Sequence, residues 1–273
     1  MEKQNKTRLD VYLYENGYFT SREKARIAIM EGKIYVNNQK EDKAGTIIKS
    51  DAKVEYRGEK LKYVSRGGLK LEKAKEVFNI KFDDKVCVDI GSSTGGFTDL
   101  MLQNNARKVY AIDSGTNQLD YKLRTNEKVV VLENTNARYI TKDIIKEIGA
   151  DIITIDVSFI SLNKIIPVTK KLLIDDGIII ALIKPQFEAG REKVEKNGVI
   201  RDKNVHIEVI KNVVDMCKSE KLNILGIDFS PIKGPAGNIE YLLYVGNEKM
   251  VSDINIDDAY IKKIVLDSHI ALD

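Results

Sequence analysis

Four charged residues of this chain stand where a fold could gather them: Lys70, Asp156, Lys184 and Glu240. Asp156 closes the apolar run DIITID and Lys184 closes IIIALIK. A charge at the end of such a strand is expensive unless it is paired. In an open α/β sheet both arrive at the carboxyl edge of the strands, where ligands bind. Glu240 begins EYLLYVG, and the nine residues SPIKGPAGN ahead of it suit a hairpin-like loop, not a crossover helix. That last strand should therefore run antiparallel, with its start at the same edge. Lys70 lies near the start of LKLEKAKEVFN, one helix before the first strand, and can reach the same rim. Singly, Lys70 reads as a solvated helix lysine and Glu240 as an edge-strand charge. Together the four form a site where a lysine, tuned by neighbours and desolvation, acts as a base or as a cation that favours an anion.

A second constellation is KVCVDIGSSTGGFTDL, Lys85 to Leu100. Val86, Val88 and Ile90 read as a buried strand ending near Asp89, and Gly91, Gly95 and Gly96 turn the chain into a helix beginning near Phe97. Glycines there let the backbone pass close to a ligand, and the helix start offers unpaired N–H groups. The spacing G-x-x-x-G-G is not the G-x-G-x-x-G of a dinucleotide fold. The pattern D-x-G-x-x-x-G-G-[aromatic] resembles the S-adenosylmethionine loop of Rossmann-like methyltransferases, and the plain alternative is an ordinary strand-turn-helix connection. The resemblance implies that the loop passes the methionine end of the cofactor. It also implies that Asp113, closing the next strand KVYAID, holds the ribose hydroxyls.

The elements that must position these groups follow from periodicity. From Lys85 onward strands and helices alternate, which argues for a doubly wound, mostly parallel sheet of KVCVDI, KVYAID, KVVVLEN, DIITIDV, GIIIALIK, LNILGIDF and EYLLYVG. LKLEKAKEVFN is amphipathic, with Leu69, Leu71, Ala74, Val77 and Phe78 on one side, and DDAYIKKIVLDSH closes the chain as a helix. The 273 residues have room for this domain plus a smaller module. Three glycines and a run of basic residues make Arg57 to Lys70 the linker and the approach to the second domain. The expected division is 1–58, a linker at 59–66 and a catalytic domain at 67–273.

The N-terminal module reads as two helices, Thr7 to Gly17 and SREKARIAIMEG with Ser21 as N-cap, followed by strands KIYVNNQ and IIKSDAKVEYR. Its R-L-D and S-R-x-x-A-x-x-x-I-x-x-G-x-[IV]-x-V-N patterns, over Thr7 to Arg57, resemble the RNA-binding S4 fold. Residues 1–66 hold 15 Lys and Arg against 10 Asp and Glu, whereas the remainder holds 29 against 31. The basic excess sits on the small module, as suits a domain that grips phosphates. Arg8, Arg22, Lys24, Arg26, Lys33 and, beyond the module, Arg66 are the candidate RNA contacts, of the kind that position a partner without reading its bases.

Other chemistries are disfavoured. After the fourth strand the chain reads DVSFISL, with no N/D-P-P-[YF], which argues against amino methylation. No cysteine ends a strand, which removes a covalent pyrimidine-C5 route. Cys87 and Cys217 read as buried packing residues, and no metal cluster is expected. The longest apolar run, IIIALI, has strand length, and the N-terminus MEKQNKTRLD has no apolar core for a signal peptide, so the chain is expected in the cytoplasm.

A Lys-Asp-Lys-Glu set in this order resembles the FtsJ-type ribose 2′-O-methyltransferases. A ribose hydroxyl is a weak acid that must lose its proton while attacking a sulfonium methyl in line. The resemblance implies that Lys184 activates the hydroxyl, that Asp156 and Glu240 orient and tune it, and that Lys70 positions the ribose or an adjacent phosphate. The motifs V-S-R-G-G-L-K-L, D-I-G-S-S-T-G-G-F-T-D, D-V-S-F-I-S-L, K-P-Q-F-E and G-P-A-G-N-I-E-Y, with the S4-like module, resemble the TlyA family over nearly the whole chain. This family likeness implies a class I, seven-stranded Rossmann-like methyltransferase domain. The implied activity is cytidine 2′-O-methylation of ribosomal RNA, and the family also carries an older name as haemolysin. By the same likeness Asp89, Gly91, Ser93, Gly95, Gly96, Phe97, Asp113, Asn136, Ala137 and Asp156 form the cofactor pocket, although Phe97 and Phe187 also read as packing residues. The competing readings are a non-catalytic RNA-binding assembly factor and a membrane-lysing protein.

Overall fold

The computed structural model describes residues 6–19, 21–49, 52–58, 62–195, 197–251 and 254–273. The chain falls into two compact units, Met1–Leu61 and Lys62–Asp273.

The first unit comprises β1 (Lys6–Arg8), α1 (Leu9–Glu15), α2 (Arg22–Met30), β2 (Ile34–Val36), β3 (Gln39–Glu41), β4 (Ile47–Lys49) and β5 (Val54–Tyr56). Leu9, Leu13, Ala25, Ile29, Ile34 and Ile48 close its core. Ser21 caps α2 as its sequence suggests, accepting the Lys24 N–H. The first helix starts at Leu9 and not at Thr7. Residues 6–8 instead pair antiparallel with β4, and the Leu9 N–H donates to Thr46 O at 2.8 Å, so tertiary pairing overrides the helical spacing. IIKSDAKVEYR is not one strand: β4 pairs with β1, whereas β5 pairs with β2. Ser50 and Asp51 within it, and Glu59–Leu61 of the expected linker, lie outside the described residues.

The second unit runs α3 (Gly68–Val77), β6 (Val86–Ile90), α4 (Gly96–Gln103), β7 (Lys108–Ile112), α5 (Tyr121–Arg124), β8 (Val129–Leu132), β9 (Ala150–Ile155), α6 (Ile166–Thr169), β10 (Leu173–Ile183), α7 (Pro185–Glu188), α8 (Lys203–Ser219), β11 (Leu222–Phe229), β12 (Tyr241–Asn247) and α9 (Asp258–Leu272). One sheet has the order β11-β12-β10-β9-β6-β7-β8, in which β12 is antiparallel to both neighbours and β6 to β10 are parallel. Every residue of β6 is buried, as in a parallel strand covered on both faces. β10 begins five residues before its apolar run and has an irregular register between Leu173 and Ile178. Two short 3-10 turns, Ala137–Tyr139 and Lys142–Ile144, stand where a helix would join β8 to β9. Cys87 and Cys217 are free and buried, and burial pushes the Cys217 thiol up to about 12.

The stretch read as linker packs onto this unit from Lys62 on. Tyr63 is buried, the Val64 N–H donates to Asp99 Oδ2 at 2.8 Å, and Lys62 pairs with Glu72. Gly96 shows why V-S-R-G-G stands where it does. A Cβ there would lie 2.4 Å from Ser65 Oγ and 2.7 Å from Gly68 N, so the starts of α3 and α4 touch backbone to backbone.

Candidate active site

The sheet brings the four charged residues together. Lys184 follows β10, Asp156 follows β9, Glu240 stands just before β12, and Lys70 lies in the first turn of α3. They form a chain of alternating charge. Lys184 Nζ lies 2.5 Å from Asp156 Oδ1, Asp156 Oδ2 lies 3.7 Å from Lys70 Nζ, and Lys70 Nζ donates to Glu240 Oε2 at 2.6 Å. Lys184 also donates to Ser158 Oγ at 3.3 Å. The Glu240 side chain is only 2% exposed and that of Asp156 is 20% exposed, so the acid shared by both lysines is the one open to a ligand. Each lysine has a carboxylate in contact, which offsets the cost of burying it.

The glycine turn stands beside this chain. The N–H groups of Gly91 and Ser92 both donate to Ile112 O, and the Asp156 N–H donates to Ile90 O, which ties the turn to the edge where the acid emerges. Gly91 has φ +81°, and a Cβ on it would lie 2.5 Å from Asp156 O. Gly91→Ala should therefore displace the shared acid and strain the turn. We expect a loss of activity with a lowered melting temperature, and full activity in that variant would refute the close approach. Asp89 turns inward: Oδ2 accepts the Thr98 N–H at 3.0 Å and its hydroxyl at 2.7 Å, and Oδ1 accepts the Thr154 hydroxyl at 3.0 Å. Burial pushes its carboxyl up to about 6, against the pull of those hydrogen bonds.

Two cavities flank the turn. The larger, about 820 Å³, is lined by Gly91, Ser93, Asp113, Asn136, Ala137 and Asp156 among others. The smaller, about 290 Å³, is lined by Arg66, Lys70, Asp89, Gly96, Phe97 and Asp156 among others. Gly91, Ser93 and Asp156 belong to both walls. The larger volume lies in the range of a cofactor site. On its wall Asp113 accepts the Ser93 N–H at 2.8 Å and the Gly115 N–H at 2.7 Å, which fixes the carboxylate while leaving it spare lone pairs.

Residues 63–247 match the FtsJ-like methyltransferase family and residues 7–54 match the S4 domain. The 16S/23S rRNA (cytidine-2′-O)-methyltransferase TlyA of Mycobacterium tuberculosis is 34% identical over 93% of this chain and 96% of its own. This chain belongs to the FtsJ-like methyltransferases, in their TlyA family. Hemolysin A of Brachyspira hyodysenteriae is 44% identical over 87% of this TlyA-family chain and 98% of its own. A solved chain from Streptococcus thermophilus, described provisionally as a hemolysin, superposes with a TM-score of 0.76 at 44% identity, covering 98% of each chain.

Within the TlyA-family chain, the residues singled out from the sequence sort by place. Gly91, Ser93, Asp113, Asn136, Ala137 and Asp156 line the larger cavity, and Asp89, Gly96 and Phe97 the smaller. Gly95 lines neither: a Cβ there would meet Leu123 and Leu119, so its place is against the packing of α5. Phe97 is buried in the core and still reaches the smaller cavity, and Phe187 lines the larger. Lys184 lines neither and stands behind Asp156 and Ser158, which do line the larger. Arg66 lines the smaller cavity.

In the first unit Arg8 and Arg22 converge on one acid. Asp10, fully buried, accepts from Arg8 at 3.0 and 3.1 Å and from Arg22 at 2.9 Å. The Arg8 hydrogen bond holds the Asp10 carboxyl below the usual range despite burial, and both guanidinium groups stay half exposed. Arg26 pairs with Glu23 and Lys33 with Glu31.

Three residues of this chain escaped sequence reading. Glu133 accepts the N–H groups of Asn117, Gln118 and Leu119 and the Arg124 guanidinium, and so folds the 114–119 loop that walls the larger cavity. Ser158 contacts Lys184. Glu188 binds Ser161 and Leu162. Ser158 and Glu188 had a signal, their places in D-V-S-F-I-S-L and K-P-Q-F-E, and Glu133 had none.

Proposed function

We propose that this methyltransferase moves a methyl group from S-adenosylmethionine to a ribose 2′-hydroxyl of ribosomal RNA, with cytidine as the target and the cytoplasm as the setting. The observation that carries the reading is the chain Lys184–Asp156–Lys70–Glu240, in which Asp156 borders both of two cavities that share one glycine turn and Lys70 borders the smaller. S-adenosylmethionine, when bound, supplies an electrophilic methyl on a sulfonium. The larger cavity fits it: the backbone of the Gly91 turn lines its wall, and Asp113 offers a carboxylate suited to ribose hydroxyls.

In this reading Lys184 takes the 2′-hydroxyl proton, or holds the developing alkoxide, as the oxygen attacks the methyl carbon and the electron pair of the breaking bond stays on sulfur. Asp156 orients Lys184 and Lys70, Glu240 fixes Lys70, and Lys70 holds the ribose or its phosphate. Positioning supplies much of the remaining acceleration. Arg66 and the first unit's Arg8, Arg22, Lys24, Arg26 and Lys33 hold RNA phosphates. The relative named for cytidine methylation of ribosomal RNA supports the substrate, and the S4 match supports the RNA. The haemolysin names find no counterpart in a spanning segment: among the described residues no helix is long and apolar enough to cross a membrane.

The test is transfer of isotopic methyl from S-adenosylmethionine to ribosomal RNA from cells lacking this protein, with the product mapped for ribose methylation. We expect label at a cytidine 2′-oxygen. Label on a base, or none while S-adenosylmethionine still binds, would overturn the assignment.

A further inference from the structure

We infer that Glu188 is a positioning residue of the proposed transfer, clamping the loop that carries Asp156 and Ser158 onto the turn that carries Lys184. The two sequence motifs D-V-S-F-I-S-L and K-P-Q-F-E meet along their lengths. At one end Lys184 Nζ contacts Asp156 Oδ1 at 2.5 Å and Ser158 Oγ at 3.3 Å. In the middle the rings of Phe187 and Phe159 lie 5.0 Å apart. At the other end Glu188 Oε2 accepts the Ser161 hydroxyl at 2.6 Å and Oε1 accepts the Leu162 N–H at 2.8 Å. The loop between these fixed ends, Val157 to Ile160, walls the larger cavity.

Two observations say that the loop must be held. Phe159 is 90% exposed and has φ +64°, a strained conformation for a bulky residue that persists only where the surroundings impose it. Glu188 is a half-buried carboxylate that no cation pairs with among the described residues, and both its side-chain hydrogen bonds go to this one loop. Burial pushes its carboxyl above the usual range, against the pull of Ser161 and Leu162. A charge placed there without a cation is costly, and its hydrogen bonds fix the far end of the segment whose near end is Asp156. The loop's departure would move Asp156 relative to Lys184, and a misplacement of about 1 Å in such a site costs on the order of 10²-fold in rate.

This inference rests on the proposed function, so the experiment reads clamp and catalysis separately. Wild-type, Glu188→Ala, Glu188→Gln, Ser161→Ala and the Glu188→Ala/Ser161→Ala double variant are compared in single-turnover methyl transfer to ribosomal RNA. Calorimetry gives S-adenosylmethionine affinity, and amide exchange at residues 157–162 gives the state of the loop. We expect Glu188→Ala to lower the transfer rate about 10–100-fold, with cofactor affinity and RNA KM within about twofold and with faster exchange at Leu162. Glu188→Gln, which keeps an acceptor for the Leu162 N–H, should recover part of the rate. Ser161→Ala should cost less than Glu188→Ala and add nothing to it in the double variant. An unchanged rate in Glu188→Ala, or a rate that falls only in step with melting temperature and cofactor affinity, overturns the assignment. Should Glu188→Ala fail to fold, an unchanged rate in Ser161→Ala does so. If wild-type protein transfers no methyl, the functional reading fails, and unchanged exchange at Leu162 in Glu188→Ala then decides against the clamp on its own.

Discussion

Lys184→Ala should abolish most methyl transfer and leave cofactor binding intact. Removing a base or an alkoxide-stabilising cation from a positioned site costs on the order of 10²–10⁴-fold in rate. Lys184 lines neither cavity, so S-adenosylmethionine should bind the variant with an unchanged dissociation constant. The fold should also survive, because Asp156 keeps Lys70 at 3.7 Å and is the most exposed acid of the set, so it is not left as a buried orphan charge. Single-turnover rates with calorimetry on the same samples check both halves. Lys184→Arg separates the two roles: a guanidinium cannot give up its proton near neutral pH, so activity retained with arginine assigns a cation and activity lost favours a base. Normal turnover by Lys184→Ala would remove the residue from the mechanism.

The parts of the site that sequence made legible share one property: their positions follow from strand order alone. Asp156 and Lys184 end apolar runs, and the nine-residue loop before Glu240 dictates a reversed strand, so topology places all three at one edge before any side chain is seen. The glycine turn is legible because Gly91 and Gly96 each stand where backbone or side-chain atoms leave no room for a Cβ. Gly95 shows the limit, since its spacing fits the cofactor loop while its Cβ direction faces Leu123. Glu133 was illegible for another reason. It gathers donors that the fold brings in from 9 to 16 residues away, and in sequence it looks like a solvated acid. The false helix start at Thr7 has the same origin, because the partner strand that captures residues 6–8 lies some forty residues downstream.

Glu240→Ala should be the most destabilising single change in the site. Its side chain is 2% exposed and holds Lys70 Nζ at 2.6 Å, and the Lys70 side chain is itself 8% exposed. Truncating one partner of a buried pair leaves the other charge uncompensated, at a cost of about 3–5 kcal/mol. The nearest relief for Lys70 is Asp156 at 3.7 Å, already committed to Lys184 at 2.5 Å. The expected loss is a large share of the roughly 5–15 kcal/mol that holds a domain together. Removing both charges distinguishes this cause from simple loss of packing. In Lys70→Met/Glu240→Ala no charge is left stranded, so the double variant should be more stable than Glu240→Ala alone. Activity should not return with stability, because the amine that faces the smaller cavity is gone. The chain has no tryptophan, so urea unfolding is followed by far-ultraviolet circular dichroism, and the two compact units require that two transitions be allowed for. A double variant no more stable than Glu240→Ala would show that a stranded Lys70 charge is not the cause of the loss.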